Sequence, residues 1–360
     1  MSETNIFAVV LAGGRGKRFW PAGRHSRPKQ LLAITTERTM LEETLSRCSG
    51  LAPPAQILIV TNSAQAEAVR KLCPDMGEGQ VLVEPAMRNT AAAIGLAALH
   101  VRRADPDGIM VILAADHAIE PRERFLATFR AAARRAGEAD TILVIGIPPT
   151  GPATGYGYIE AGEATTEIDG YTVHRVSRFK EKPDAATAHA LLEQSSTFWN
   201  SGTFVGRAAT LVAAFEEHLP DHARILGEID ACLAKGDPPP AELYEAFENV
   251  PFDVGIVEKA QNVEVIPADF EWDDVGSWLA LGRIHRADQE GNVVRGKHAG
   301  IDTHNCIVVG DADHLVTTVG LEDMIVIHTP DATLICPRDR AEDVRRLVDR
   351  LGELGLDDYL

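Results

Sequence analysis

Ile6-Phe7-Ala8-Val9-Val10-Leu11-Ala12-Gly13-Gly14-Arg15-Gly16-Lys17-Arg18-Phe19-Trp20-Pro21 is the stretch on which the reading of this chain turns. Its first six residues form an unbroken apolar run, which predicts a buried strand. The glycines that follow let a backbone approach a ligand closely, with its N–H groups turned inward. Six Arg or Lys residues fall between Arg15 and Lys29, and no Asp or Glu lies between Glu3 and Glu37. In a chain of formal net charge −18, that local excess of positive charge predicts a polyphosphate guest. Two other phosphate loops do not fit. A P-loop needs Ser or Thr after Gly-Lys to hold magnesium, and here Arg18 follows Gly16-Lys17. A Rossmann fingerprint needs a third glycine opening a helix, where Phe19-Trp20-Pro21 stands instead.

Outward from this loop, short apolar runs alternate with helical patterns. Thr39-Met40-Leu41-Glu42 has capping-box form, and Leu41, Leu45 and Cys48 recur at helical spacing. Further strands are expected over 56–61, 81–83 (ending at Glu84-Pro85), 109–113 (before Asp116-His117) and 141–147. Helices are expected after Asn62 and Ser63, from an Asn89 or Thr90 cap to about His100, and from Glu123 to Ala136. Such alternation predicts an α/β fold: a Rossmann-like, mainly parallel sheet with helices on both faces. In these sheets ligands bind at the carboxyl ends of the strands, where the Gly13 loop, Glu84 and Asp116 all fall.

Beyond Gly151 the texture changes. Gly155-Tyr156-Gly157-Tyr158-Ile159 and 173–179 suggest antiparallel strands, expected as a subdomain inserted over the sheet at about 151–260. Past Asn292, short strands around Ile301, Ile307, Val316, Ile325 and Leu334, then a terminal helix over 341–354, predict a small C-terminal β domain. The expected division is therefore 1–288 and 289–360, the second part packing on the first or on a second subunit.

A chain of 360 residues can bury a large core. A pI near 5.1 argues against a general nucleic-acid or membrane-surface protein. The five cysteines are scattered singly, without zinc or redox spacing, as in a reduced protein. No apolar run approaches membrane-spanning length, so the expectation is a soluble, cytoplasmic protein.

The glycine loop with Arg18 and the trailing Pro28-Lys29-Gln30 resembles the signature of the sugar-1-phosphate nucleotidyltransferases. Further motifs occur in that family's order: Glu84-Pro85 with Arg88-Asn89-Thr90-Ala91, Ala115-Asp116-His117, Phe179-Lys180-Glu181-Lys182-Pro183, Trp199-Asn200-Ser201-Gly202, Phe252-Asp253-Val254-Gly255 and Trp272-Asp273-Asp274-Val275-Gly276. Together they are similar to the guanylyltransferases acting on mannose 1-phosphate, over essentially the whole chain. Longer bifunctional members continue into a phosphomannose isomerase domain. This sequence stops at Leu360, so that second activity is not expected.

The resemblance implies a GT-A-like nucleotidyltransferase fold, GTP and mannose 1-phosphate as substrates, GDP-mannose and pyrophosphate as products, and Mg²⁺ as cofactor. It implies neither nucleic-acid nor membrane partners; a homodimer is one option. Arg18 and Lys29 would neutralise the transferring and leaving phosphates, assisted by Arg15 and Lys17. Leu11, Ala12, Gly13, Gly14, Gly16, Glu84, Asn89, Thr90 and Ala115 would line the nucleotide. Lys182 would hold the sugar phosphate, and Gly155, Glu181, Asn200 and Asp253 would face the sugar, with structural hydrogen bonding as the alternative for the last three. Asp116 and Asp274 would carry the metal, with Asp273 as the alternative and His117 orienting Asp116. Lys180 is expected in solvent, and the four tryptophans in packing. Two rivals stay open: the same chemistry on manno-heptose or glucose 1-phosphate, and a non-catalytic sugar-nucleotide sensor.

Overall fold

The computed structural model describes residues 5–14, 16–194 and 196–360. They form two compact units, each interrupted in sequence. The first takes the chain up to Gly13, Thr44–Ala115 and Ile119–Trp272; the second takes Gly14–Glu43, Asp116–Ala118 and Asp273–Leu360. The chain thus passes from the first unit to the second at Gly13-Gly14, Ala115-Asp116 and Trp272-Asp273, and returns at Glu43-Thr44 and Ala118-Ile119.

The first unit is built on β1 (Ile6–Leu11), β2 (Ile57–Asn62), β3 (Val81–Glu84) and β4 (Ile109–Ala114), which run parallel to one another. After the short β5 (Ala118–Glu120) come β6 (Ile142–Ile147), β7 (Tyr158–Ile168), β8 (Tyr171–Lys180), β9 (Thr197–Arg207) and β10 (Val263–Pro267). All but β5 join one nine-stranded sheet in the order β3-β2-β1-β4-β9-β6-β10-β8-β7, in which only β8 and β9 run against the rest. The expected subdomain lying over the sheet is therefore corrected. Strands β7 and β8 extend the sheet's edge, and β9 wedges between β4 and β6, because its Thr203, Phe204 and Val205 are as buried as their neighbours.

Strands buried on both faces explain the unbroken apolar runs. Along β1, Phe7 and Val9 join one core cluster with Met110, Ile112 and Val144, while Ala8 and Val10 between them are equally buried on the other face. That cluster receives α3 (Asn89–Ala104), α6 (Ala208–His218) and α7 (Pro220–Leu233) through Leu96, Phe215 and Leu226. Helix α4 (Arg122–Glu138) packs on β4, β6 and β9. Smaller helices are α1 (Met40–Cys48), α2 (Ala66–Leu72), α5 (Ala185–Leu192) and α8 (Ala241–Glu245). The capping box forms as read: Glu42 Oε2 accepts from Thr39 N (2.8 Å), and Thr39 Oγ1 accepts from Glu42 N (3.2 Å). The anticipated cap of α3 does not form. Thr90 Oγ1 instead accepts from Phe252 N (2.9 Å), and Asn89, at φ +66°, turns its Oδ1 to the adjacent Thr90 N.

In the second unit the C-terminal strands coil. Strands β12 (Val293–Arg295), β14 (Ile307–Val309) and β16 (Met324–His328) stack in parallel, as do β13 (Lys297–Ile301) and β15 (Leu315–Val319). Strand β17 (Thr333–Pro337) closes antiparallel on β16, and α10 (Val344–Glu353) follows; β11 (Glu271–Asp273) and α9 (Leu281–Ile284) precede the coil. One core joins Phe19, Trp20, Leu32 and Met40 to Trp278, Ile307, Ile325, Val344 and Val348. The basic loop segment is thereby folded on the same core as the C-terminal coil. Among the described residues, no helix is long and apolar enough to cross a membrane.

Candidate active site

In the first unit, β1 ends in Leu11-Ala12-Gly13, and side chains of β2 hold that end. Thr61 Oγ1 donates to the Ala12 carbonyl (2.9 Å) and Asn62 Nδ2 to the Gly13 carbonyl (3.3 Å). Ala115 N donates to the Leu11 carbonyl (3.0 Å), joining the ends of β1 and β4. A methyl group on Gly13 would sit 3.6 Å from Glu84 Oε2, so the Glu84 carboxylate lies over this backbone. Glu84 is buried, and burial pushes its pKa up to about 7 although the Tyr244 hydroxyl donates to its Oε1 at 2.7 Å. Tyr244 carried no sequence signal; its relation to Glu84 spans 160 residues.

The other candidates of this unit gather around β9. Asn200 Nδ2 donates to Asp253 Oδ1 (2.5 Å), and Asn200 Oδ1 accepts from Gly202 N (3.1 Å). Burial, then the nearby Glu181 charge, pushes Asp253 up to about 6, against the Asn200 hydrogen bond. Glu181 Oε1 accepts from Lys182 Nζ at 2.6 Å, while its Oε2 is buried without a hydrogen-bond partner among the described residues. That oxygen lies where a side chain on Gly157 would have to go. The glycine this carboxylate demands is thus Gly157; Gly155 is exposed, with open space around it. Lys182 stands at φ +42° with 62% of its side chain exposed. Lys180 is exposed at the end of β8. Tyr156 packs between Trp199 and Trp272, with ring centroids 4.9 and 5.3 Å away.

The second unit holds the cations. Gly16 stands at φ +59°, and a side chain there would run into Lys29 N at 2.6 Å. This close approach seats the buried Lys29, whose Nζ donates to the Asp274 carbonyl (2.6 Å) and pairs with Asp116 Oδ2 (2.8 Å). Burial opposes the charge on Asp116, yet Lys29 and His117 outweigh it and hold the carboxyl below its usual range. Asp273 is taken by Arg283, which donates to both its oxygens (2.5 and 2.9 Å). After Asp274, the buried Val275 takes φ +48°, a strained value for a β-branched residue. Gln30 Nε2 donates to the Gly14 carbonyl (3.2 Å). Arg15 lies outside the described residues.

Gly16, Lys17, Arg18, Lys29, Asp116, His117, Asp274 and Gly276 line one cavity of about 510 Å³, together with Arg345 from α10. Lys17 pairs with Asp349 (2.7 Å) and Arg18 with Glu342 (2.6 Å). The C-terminal stretch therefore supplies three charges here, Glu342, Arg345 and Asp349. Trp20 and Trp278 are core residues, as expected.

The donors suit a hard cation. Asp116 and Asp274 offer only oxygen, and no group of three His, Cys, Asp or Glu able to hold an ion occurs among the described residues. Two carboxylates beside a cation-lined cavity fit a hard divalent ion that keeps waters and takes substrate oxygens, and not a closed structural site.

Known proteins share both the sequence and the fold. The nucleotidyl transferase family matches residues 7–291, and the MannoseP isomerase/GMP-like beta-helix domain matches 296–351. The mannose-1-phosphate guanylyltransferase of Escherichia coli (strain K12) is 36% identical over 98% of this chain and 74% of its own. The alginate biosynthesis protein AlgA of Pseudomonas aeruginosa is 34% identical over 97% of this chain and 73% of its own. A crystal structure of a mannose-1-phosphate geranyltransferase from Thermus thermophilus superposes with a TM-score of 0.88 at 33% identity, covering 97% of this chain and 100% of that one.

Proposed function

Since the chain belongs to the nucleotidyl transferase family, among its mannose-1-phosphate guanylyltransferases, we propose that it transfers GMP from GTP to mannose 1-phosphate, releasing GDP-mannose and pyrophosphate. A phosphate oxygen of the sugar phosphate attacks the α-phosphorus in line. The bond from that phosphorus to the bridging oxygen of the β-phosphate breaks, and pyrophosphate leaves with the electron pair. The attacking oxygen is already ionised, so no general base is needed. Positioning and neutralisation of charge remain as the protein's tasks.

The observation that carries this reading is the Lys29 ammonium, held 2.8 Å from Asp116 Oδ2 and 2.6 Å from the Asp274 carbonyl in a cavity shared with Lys17 and Arg18. Lys29 and Arg18 would neutralise the reacting and departing phosphates, with Lys17 beside them. Asp116 and Asp274 would hold Mg²⁺, which when bound supplies the positive charge that draws two phosphates together. The Leu11–Gly13 backbone, Glu84, Asn89, Thr90 and Ala115 would receive the nucleoside. Glu181, with one buried oxygen unpartnered among the described residues, would accept a sugar hydroxyl, as would the Asn200–Asp253 pair. Lys182 would swing from Glu181 to the sugar phosphate. Residues 1–288 would carry the transfer and 289–360 would support the phosphate loop. A cytoplasmic setting fits five free cysteines.

A pyrophosphate-release assay of four nucleoside triphosphates against several hexose 1-phosphates tests the reading. GTP with mannose 1-phosphate should give the largest kcat/KM. A larger value for UTP with glucose 1-phosphate would overturn the base and sugar assignment and keep the reaction class.

A further inference from the structure

Helix α10 and the 3-10 turn before it set three charges against the basic loop, of which Arg345 lines the cavity. Val344 and Val348 are buried in the core that also holds Phe19 and Trp20, which fixes how the helix is turned. Arg345 and Asp349 lie four residues apart on one face of α10, and Glu342 stands in the 3-10 turn, Arg338–Asp343, that leads into the helix. Glu342 pairs with Arg18 and Asp349 with Lys17. Between them Arg345 reaches the cavity wall. After the Lys17 hydrogen bond, its charge helps to hold the Asp349 carboxyl below its usual range. Among the described residues it makes no ion pair within 4.0 Å, whereas its neighbour Arg346 is paired with Asp343 at 3.3 Å.

We propose that Arg345 is a ligand of the pyrophosphate end of the nucleotide, completing with Lys17 and Arg18 a three-cation seat for the β- and γ-phosphates. The proposal rests on the reaction assigned above and adds a residue from the far end of the chain to it. The cavity's cations fall into two sets. Lys29 is committed to Asp116 and the Asp274 carbonyl, the end suited to the metal and the reacting phosphorus. Lys17 and Arg18 are committed to Asp349 of α10 and Glu342 of the turn before it, whose exposures of 54% and 63% leave those two carboxylates cheap to exchange for water. These two carboxylates occupy two cations as two phosphate groups would. An entering polyphosphate tail exchanges with them and meets Arg345 between them. A guanidinium suits this task, because its donors form a rigid fork that matches phosphate oxygens.

The test is calorimetric titration of magnesium pyrophosphate into the full-length protein and into Arg345→Gln and Arg345→Lys. Arg345→Gln should weaken binding roughly tenfold or more, the loss of a charge-assisted hydrogen bond. Arg345→Lys, which keeps the charge and loses the fork, should bind between the parent and Arg345→Gln. In the reverse reaction of Arg345→Gln, KM for pyrophosphate should rise in step while KM for GDP-mannose stays within about twofold, and the melting temperature should hold. Parent-like pyrophosphate binding by Arg345→Gln would overturn the proposal, as would an equal loss of affinity for GDP-mannose, or Arg345→Lys binding as poorly as Arg345→Gln. The titration uses neither base nor sugar. If the release assay chose another sugar nucleotide, the substrate reading would fall and this result would still decide Arg345.

Discussion

The Tyr244 hydroxyl donates a 2.7 Å hydrogen bond to Glu84 Oε1, and both side chains are buried. A carboxylate so enclosed at the end of β3 resists ionisation, and its pKa rises from the ordinary 4.5 to about 7. The folded state therefore binds a proton that the unfolded chain has already released. Stability from this group is fully present below about pH 4.5 and is lost as pH rises through about 7. The loss is on the order of 3 kcal/mol. Glu84→Gln should flatten that part of the profile, read as urea unfolding at a series of pH values. A variant with the parent's slope between pH 4.5 and 7 would show that Glu84 is already ionised in the folded protein.

Lysines 180 and 182 should separate in kinetics. Lys182 Nζ lies 2.6 Å from Glu181, whose charge bears on Asp253, whereas Lys180 ends its strand in solvent. Lys182→Ala should raise KM for mannose 1-phosphate by roughly tenfold or more and leave KM for GTP nearly unchanged. Lys180→Ala should change neither by more than about twofold. Equal losses in both variants, or a loss confined to GTP, would contradict the assignment.

What the sequence disclosed and what it hid follow from the range of each interaction. Strands β1, β2, β4 and β6 were legible because burial on both faces leaves an unbroken apolar run. The wedging of β9 between β4 and β6 was not, because strand order depends on pairings between distant segments. The Thr39–Glu42 box could be read from a spacing of three. Thr90 looked like a cap for the same local reason, yet its hydroxyl serves Phe252, 162 residues on. The basic loop announced its phosphate chemistry through composition alone. Its partners Glu342 and Asp349, and with them Arg345, carry no local signal, since charged residues on a helix face are ordinarily solvated. Gly155 and Gly157 were indistinguishable by type; only the position of the Glu181 carboxylate selects the second.

The C-terminal coil should be needed to build the phosphate loop, beyond any role in assembly. Ile325 lies fully buried in one core with Phe19 and Trp20, and Trp20 Nε1 donates to the Tyr359 carbonyl at 2.8 Å. Ile325→Ala should cost about 2–5 kcal/mol. A chain ending at Arg286 would leave Phe19, Trp20 and Trp278 without most of their partners, and should aggregate or lose nucleotide binding. A truncated chain with the parent's melting temperature and activity would refute this.

The carboxylates near the Trp272-Asp273-Asp274 turn should divide between structure and chemistry. Asp273 is engaged through both oxygens by Arg283, and its Oδ1 also accepts from Val275 N at 2.7 Å. Asp274 and Asp116 line the cavity in which Lys29 is seated. Asparagine keeps the shape of each side chain and removes its charge. Asp116→Asn and Asp274→Asn should therefore lower kcat by two or more orders of magnitude, roughly the scale of losing an electrostatic group in a preorganised site. Melting temperature should change little in Asp274→Asn and fall in Asp116→Asn, where the buried Lys29 loses its carboxylate. Asp273→Asn should do the reverse, weakening the Arg283 fork and the turn at Val275 while retaining most of kcat. Chelation should abolish turnover and added Mg²⁺ restore it. Without nucleotide the ion should bind weakly, because two carboxylates leave most of an octahedral shell to water. Water-proton relaxation with Mn²⁺ as the probe can follow that binding directly: the affinity should rise when GTP is present and fall in both cavity variants. Parent-like turnover in Asp274→Asn, or activity that survives chelation, would remove these two residues from the metal site and direct the search to Asp273.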